Sequence, residues 1–324
     1  TDVTVFEKGS AAQMRQEKYA KHFDSFTLLA PRMRFTIPFF VARALSKQSI
    51  DVVTVQDPFE TGLLTLIGMI GRNIPLHVQI HTDFLDPEYA RLSVVNWVRV
   101  RIVPFVLKRA TRIRVVSERV KTSIQKEYGM SVHIAVIPIY GDVAHYKHAQ
   151  VDDSLLQRFS RFEKKLLVVS RLEKEKNIEL AIRAFAHAYS KSECLIIVGE
   201  GNERGRLEFL ARELDLEGFI FFEGAHDPAP YYKIADVLLV PSHYEGYGLV
   251  IVEALAAGIP VLSTDVGIAR EAGAIVASPA DFPDALFQWL SEGASEGVLR
   301  SYPYESEEAY VRAWVEDVEA CKRA

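Results

Sequence analysis

Residues 237–257 read Val237-Leu-Leu-Val-Pro-Ser-His-Tyr-Glu-Gly-Tyr-Gly-Leu-Val-Ile-Val-Glu-Ala-Leu-Ala-Ala257. The first four form a continuous apolar run, the pattern of a parallel strand covered on both faces. From Leu249 onward the apolar spacing is helical. Between strand and helix lies a loop with Gly246 and Gly248, where the backbone can approach a ligand closely. The same unit repeats outward. Strands are expected at 165–169, 194–198, 219–222 and 260–263, and helices at 178–191, 203–214 and 230–234. In the first half, 51–56, 76–81, 114–117 and 132–137 read as strands. Helical stretches cover 58–71, a segment ending at Tyr128, and 88–110, where Pro104 predicts a break or kink. Such alternation predicts an α/β fold of two doubly wound domains facing a cleft. Ligands of these sheets sit beyond the carboxyl ends of the strands.

The length, 324 residues, agrees with two domains. With 49% hydrophobic and 25% charged residues the chain reads as globular, which excludes a disordered or low-complexity protein. No apolar run approaches the about 20 residues of a membrane-spanning helix. The start, Thr1-Asp2-Val3, has no secretory pattern. Cys194 and Cys321 stand far apart, with neither disulfide-framework nor zinc spacing, so the expected setting is cytoplasmic. The charge divides unevenly. Residues 1–150 hold 20 basic and 13 acidic residues, and residues 151–324 hold 18 and 30. Opposite net charges favour two domains with different partners. The polar stretch 141–165 is the linker candidate, giving domains at 1–148 and 149–303 and a terminal helix within 304–324. That helix carries Tyr310, Trp314 and Val318 on one stripe, which must cover something.

Three segments carry candidate chemistry. Glu245 lies in the opening loop and Glu253 about one turn inside the helix. Carboxylates cannot bind phosphate but accept hydrogen bonds from sugar hydroxyls, while the amides at the helix start suit a diphosphate. One acid could hold a donor sugar and the other a ribose; a loop glutamate plus a solvated helical one fits the same letters. Arg171 and Lys176 follow the strand at 165–169, and two fixed cations there would neutralise a departing diphosphate. A solvated charged turn is the plainer alternative. Gly199-Glu-Gly201 begins a tight turn whose third glycine, Gly205, comes one place late for a dinucleotide fingerprint. Phe222 and Gly224 end the next strand and could face a base. In the first half, His81 and Asp83 end a strand, and Asp57 reads as a helix cap before a proline. There is no Asp-x-Asp pair to seat a metal-diphosphate, no P-loop, no Gly-x-Ser-x-Gly elbow and no His-Glu-x-x-His.

Taken together, Glu245 and Glu253 eight residues apart, Arg171 with Lys176, the Gly199–Gly201 turn, Ala256-Ala-Gly-Ile-Pro-Val261 and Thr264-Asp-Val-Gly267 resemble glycosyltransferase family 4. The likeness is strong over 165–272. It is looser in the first half, through 51–58, Thr61-Gly62 and Ile80-His81. It implies a GT-B fold of two Rossmann-like domains and a retaining enzyme that uses a UDP- or GDP-sugar as co-substrate, without a metal or other cofactor. Arg171 and Lys176 would hold the diphosphate. Glu245 would contact the donor sugar with the amides of Gly246, Tyr247 and Gly248, next to Leu249. Glu253 would bind ribose, Gly199, Gly201, Phe222 and Gly224 would lie around the donor, and His81 would lie over the donor sugar. The last helix would cross back onto the first domain. Members usually open with a strand and a glycine-rich loop; here Glu7-Lys-Gly-Ser10 matches the loop, so Gly9 and Ser10 join Asp83 as acceptor-side positions and the first strand is expected to be missing or short.

The mechanism so implied is front-side transfer, in which a donor phosphate oxygen takes the acceptor's proton. The acceptor would be a glycan or lipid-linked. Residues 89–126 hold ten Lys/Arg against the single acid Glu118, interleaved with Trp97, Val98 and Phe105. They read as a face for an anionic membrane, giving a peripheral protein, or as a core helix with a solvated basic side. No module for nucleic acid is present. The rival functions are a nucleotide-sugar epimerase, which would turn over donor without acceptor, and a shortened relative that binds nucleotide-sugar but does not transfer.

Overall fold

The structure, a computed structural model, describes residues 11–129, 131–292 and 296–323. Gly9 and Ser10 lie outside the described residues. The chain divides into two compact units, one running through Tyr140 and resuming at Tyr304, the other spanning Gly141–Pro303. The segment 141–165 is therefore no loose linker. It folds as two short helices of the second unit, Val143–His148 and Asp153–Arg158, each capped by an aspartate (Asp142, Asp152) that accepts from amides of its first turn. Gly141 is fixed there as well: its amide donates to the Tyr302 hydroxyl at 2.6 Å.

The first unit has a four-stranded parallel sheet, β1 (Val53–Val55), β2 (Leu76–Ile80), β3 (Arg112–Val115) and β4 (His133–Val136), ordered β1-β2-β3-β4. Among the described residues no strand precedes β1. The long stretch 88–110 is two helices, Pro87–Arg91 and Val94–Leu107. The break falls at Ser93, whose hydroxyl accepts from Val95 N and starts the second helix. Pro104 lies inside that helix, which runs through it at the cost of the bond proline cannot donate. Asp57 accepts from Phe59 N at 2.9 Å, just ahead of the helix Glu60–Gly68 rather than as its cap.

One face of this sheet is polar and buried. His77 and Gln79 alternate on β2, and Arg112 and Arg114 lie opposite them on β3. The terminal helix Glu307–Lys322 covers them. Its Asp317 accepts from His77 Nε2 at 3.0 Å and pairs with Arg112. Arg114 donates to Gln79 at 2.6 Å and to the Ile137 carbonyl, and Trp314 Nε1 donates to Gln79 at 3.2 Å. The stripe Tyr310, Trp314, Val318 packs with Tyr19 and Ile137 in the same layer. Each of these four polar side chains thus meets a partner, which burial demands.

The second unit has six parallel strands: β5 (Lys164–Val169), β6 (Glu193–Val198), β7 (Ile220–Gly224), β8 (Val237–Val240), β9 (Val261–Ser263) and β10 (Ile275–Val276). Their order is β10-β9-β8-β5-β6-β7, so the winding reverses between β5 and β8. The central strands are buried apolar runs. Helix Ile178–Ala188 buries Ile178, Ala181, Ile182 and Phe185 on them, at helical spacing.

Burial alone would raise the Asp317 carboxyl, but the bonds from His77 and Arg112 outweigh it and hold the group below its ordinary value. A depressed carboxyl stabilises the fold above its unfolded-state pKa and loses that contribution as pH falls through its folded value. Asp317→Asn is expected to cost the first unit about 3 kcal/mol at neutral pH, since it leaves Arg112 without its counter-charge. Urea unfolding of both chains across pH checks this: the gap should close on acidification.

Candidate functional site

Parallel strands release their chains on one rim, and the reversal between β5 and β8 opens a crevice there. The chain leaving β5 carries Arg171 and then the single turn Lys174–Lys176. The chain leaving β8 carries Ser242 and Glu245 before the helix Leu249–Ala256. The two loops are joined. Lys176 Nζ meets Glu245 Oε1 at 2.6 Å, with both side chains largely buried, and Ser242 Oγ donates to the same oxygen at 2.9 Å. His243 N donates to the Glu175 carbonyl at 2.8 Å. Arg171 stands apart from this pair. Its guanidinium bonds Glu175 at 2.9 Å, and its side chain is 71% exposed.

The other flagged positions fall on the same rim in strand order. Gly199 follows β6, and its amide donates to the carbonyl of Gly224, which ends β7, at 2.7 Å. Phe222 is half-buried two residues before Gly224. Gly201 lies against the Leu172 backbone of the β5 loop. Gly246, Tyr247 and Gly248 are buried, and Gly248, in the left-handed region, precedes Leu249 at the helix start. Two glycines of this rim combine a positive φ with a backbone atom too close for any Cβ. Gly199 has φ +140°, and a Cβ there would stand 1.8 Å from the Ser170 carbonyl oxygen. Gly267 has φ +50°, and its Cβ would meet the Tyr247 carbonyl oxygen at 2.2 Å. Gly267 backs the Glu245 loop, and Ile268 N donates to Tyr247 O at 3.0 Å.

Glu253 lies in the helix Leu249–Ala256 with two partners that sequence spacing did not suggest. Tyr232 donates to it at 3.0 Å and Tyr146 also hydrogen-bonds it. Burial raises its carboxyl above the ordinary value, and the two tyrosines offset part of that rise. A carboxylate has about four acceptor sites, so two hydroxyls do not exhaust it. Tyr232 sits in the helix Ala229–Ile234 and Tyr146 in Val143–His148; only the fold brings them to Glu253.

In the first unit, His81 follows β2. Its Nε2 is closed off from solvent and has no hydrogen-bond partner among the described residues. Burial first, then the charges of Arg114 and Arg15, push the imidazole down to about 3, so it is neutral at physiological pH. His81 lines a cavity of about 600 Å³ with Arg15, Asp57, Gln79 and Arg114. Asp83 is buried close by in sequence, and burial, aided by the charge of Asp86, raises it to about 6.

Residues 157–274 match the family described as Glycosyl transferases group 1, and residues 1–139 match Glycosyltransferase Family 4. The chain is 28% identical over 244 residues to the alpha-monoglucosyldiacylglycerol synthase of Streptococcus pneumoniae, covering 69% of this chain and 54% of that protein. It thus spans about half the length of that relative. Among solved structures, sucrose-phosphate synthase from Thermosynechococcus elongatus superposes with a TM-score of 0.68 at 20% identity, over 94% of this chain and 77% of that one. The Anabaena protein HepE, in complex with UDP, superposes with a TM-score of 0.67 at 20% identity, over 89% and 79%.

Gly199→Ala should destabilise the second unit by more than about 2 kcal/mol, combining a backbone clash with left-side φ strain. Gly205→Ala is the control. Gly205 is helical with nothing within 4 Å of a Cβ, and alanine there should be neutral or stabilising by up to about 1 kcal/mol. Thermal denaturation of the two variants separates a packed rim glycine from an incidental one.

Proposed function

Because the chain belongs to glycosyltransferase family 4, with the two parallel α/β sheets of a GT-B protein, we propose that it moves a sugar from a UDP- or GDP-sugar to a glycan or lipid-linked acceptor, with retention at the anomeric carbon. The observation that carries this reading is the Lys176–Glu245 pair, held at the strand-order reversal beside a helix start. Negative charge grows on the diphosphate as the sugar–oxygen bond breaks. A cation already positioned there stabilises that charge without reorganising. Lys176 fills this role, and its partner Glu245 accepts from a hydroxyl of the donor sugar. Arg171, exposed on the same loop, swings onto the diphosphate, and the amides from Gly246 to Leu249 receive its oxygens. Glu253 accepts from the ribose, while Gly199, Gly201, Phe222 and Gly224 border the base.

The reaction needs no protein nucleophile in this scheme. A donor phosphate oxygen takes the proton of the attacking hydroxyl on the face from which the diphosphate departs, and the enzyme contributes orientation and charge. No metal is required, because Lys176 and Arg171 supply the counter-charge. His81 offers its buried Nε2 to a sugar hydroxyl, and Asp83 with Gly9 and Ser10 serves the acceptor side. The name of the pneumococcal relative supports a lipid acceptor, and the UDP complex of the Anabaena protein supports a uridine donor. A lipid acceptor lies in a membrane, so we assign the basic stretch 89–126 of the first unit to an anionic membrane surface.

Calorimetry with UDP, GDP and ADP, with and without Mg²⁺, tests the donor half. One nucleotide should bind regardless of metal, and Glu253→Ala should weaken it. Lys176→Ala should then lower kcat by about 10²–10³ in transfer assays with the matching sugar, and the product anomer read by NMR should match the donor. If none of the three nucleotides binds, the transferase reading fails. Donor turnover without any acceptor would favour the epimerase instead.

A further inference from the structure

The first unit exposes large apolar side chains on three neighbouring helices. Phe39 and Phe40 stand out from the helix Ile37–Lys47, which buries Ile37, Val41 and Leu45 on its other side. Phe35, just before it, is 73% exposed. The helix Glu60–Gly68 packs beside it: a Cβ at Gly68 would stand 2.7 Å from Val41 Cβ. Its end exposes Ile67, and Ile70 follows. The helix Val94–Leu107 packs on the other side of Glu60–Gly68, with Val106 against Gly62. It turns Val94, Trp97, Val98 and Phe105 to solvent, at spacings that share one stripe. Glu60 ties the layer together, pairing with Arg99 at 2.8 Å and Arg34 at 3.6 Å.

Apart from Glu60, which is paired to Arg99 and Arg34, the charge on this layer has one sign. No acid occurs between Asp24 and Asp51, between Glu60 and Asp83, or between Glu88 and Glu118. Arg43 and Lys47 continue the outward stripe begun by Phe39, while Arg101 and Lys108 continue that of Val94, Trp97 and Val98. Arg101 lies over the Trp97 ring, 3.2 Å from its centroid. The structure also removes members from the basic stretch 89–126. Arg114 is buried, Arg112 pairs with Asp317, and Arg99 pairs with Glu60. On this layer the basic charge facing water therefore comes from both outer helices, and the exposed Phe35, Phe39, Phe40, Ile67 and Ile70 lie outside 89–126.

We infer that the helices Ile37–Lys47, Glu60–Gly68 and Val94–Leu107 form one docking face for an anionic lipid bilayer, with Phe39, Phe40 and Trp97 entering the headgroup–acyl boundary and Arg43 and Arg101 meeting lipid phosphates. This deepens the membrane contact proposed for residues 89–126 and rests on it. Aromatic and aliphatic side chains flanked by long basic ones match the layered chemistry of a bilayer surface. A patch of this kind rarely stays bare in water. A second copy of the chain would set like charges against each other, so charge complementarity selects the bilayer.

The test is flotation of the full chain with vesicles of phosphatidylcholine alone and with about 30% phosphatidylglycerol, without nucleotide, so it stays independent of the transfer reading. Trp97 is the reporter, because Trp289 and Trp314 are buried. The chain should float with the anionic vesicles, release on adding salt, and lose Trp97 emission to brominated acyl chains. Phe39→Ser with Phe40→Ser should cut partitioning at least about tenfold, and Arg43→Ala or Arg101→Ala about fivefold each. Phe209→Ser, an exposed aromatic of the second unit, should change nothing. Circular dichroism confirms that each variant is folded. Equal binding to neutral vesicles, no bromolipid quenching, or an equal loss with Phe209→Ser overturns the inference. So does light scattering that shows a dimer dissolved by the Phe39/Phe40 change.

Discussion

A parallel strand hands its chain on only at its carboxyl end, and that constraint organises the second unit. Six strands running one way place six loops on one rim. Because the strand order reverses between β5 and β8, the loops of those neighbours diverge and leave space between them. The Lys176–Glu245 pair bridges that space. It fixes an ammonium and a carboxylate where neither is fully solvated, and it links two loops that would otherwise move separately. Ser242 and the backbone bond from His243 to Glu175 brace the same junction. The tight glycines complete it, because Gly199 and Gly267 let adjacent loops touch backbone to backbone.

The first unit solves a different problem. Its sheet presents four polar side chains on one buried face, an arrangement that would be costly if any were unpaired. The terminal helix answers each of them. Asp317 serves His77 and Arg112, and Trp314 joins Arg114 at Gln79. A helix some 230 residues distant in sequence from β2 is thereby made specific for this sheet. The same unit exposes large apolar side chains on the helices Ile37–Lys47 and Val94–Leu107, which plain folding does not require. A buried polar layer and an exposed apolar layer in one unit invert the usual arrangement, and the buried layer has its counterpart in the terminal helix.

Family membership and the geometry of the rim carry complementary parts of the functional reading. The family supplies the reaction class; the rim indicates which side chains can meet charge and which can meet hydroxyls. Glu253 illustrates the difference. It lies on the helix beside the loop of Glu245, yet two tyrosines already engage it, so a ribose would share or displace those bonds.

The sequence alone determined the alternation of strands and helices, because buried parallel strands must be continuous apolar runs and covering helices must repeat at their own period. It also placed the residues of the rim, since Gly246, Gly248, Glu245, Arg171 and Lys176 all fall just after strands, where a parallel sheet has its open end. Pairings across the chain were decided only by tertiary structure. Nothing in spacing tells that Lys176 meets Glu245 while Arg171 turns to Glu175, or that Tyr146 and Tyr232 converge on Glu253. Polarity misled at 141–165, where capped helices bury too little to show a strong apolar period. It misled again in 89–126, where Arg112 and Arg114 read as solvated charge but are internal partners. A charged residue's letter is the same whether it faces water or a counter-charge, and only the fold supplies the counter-charge.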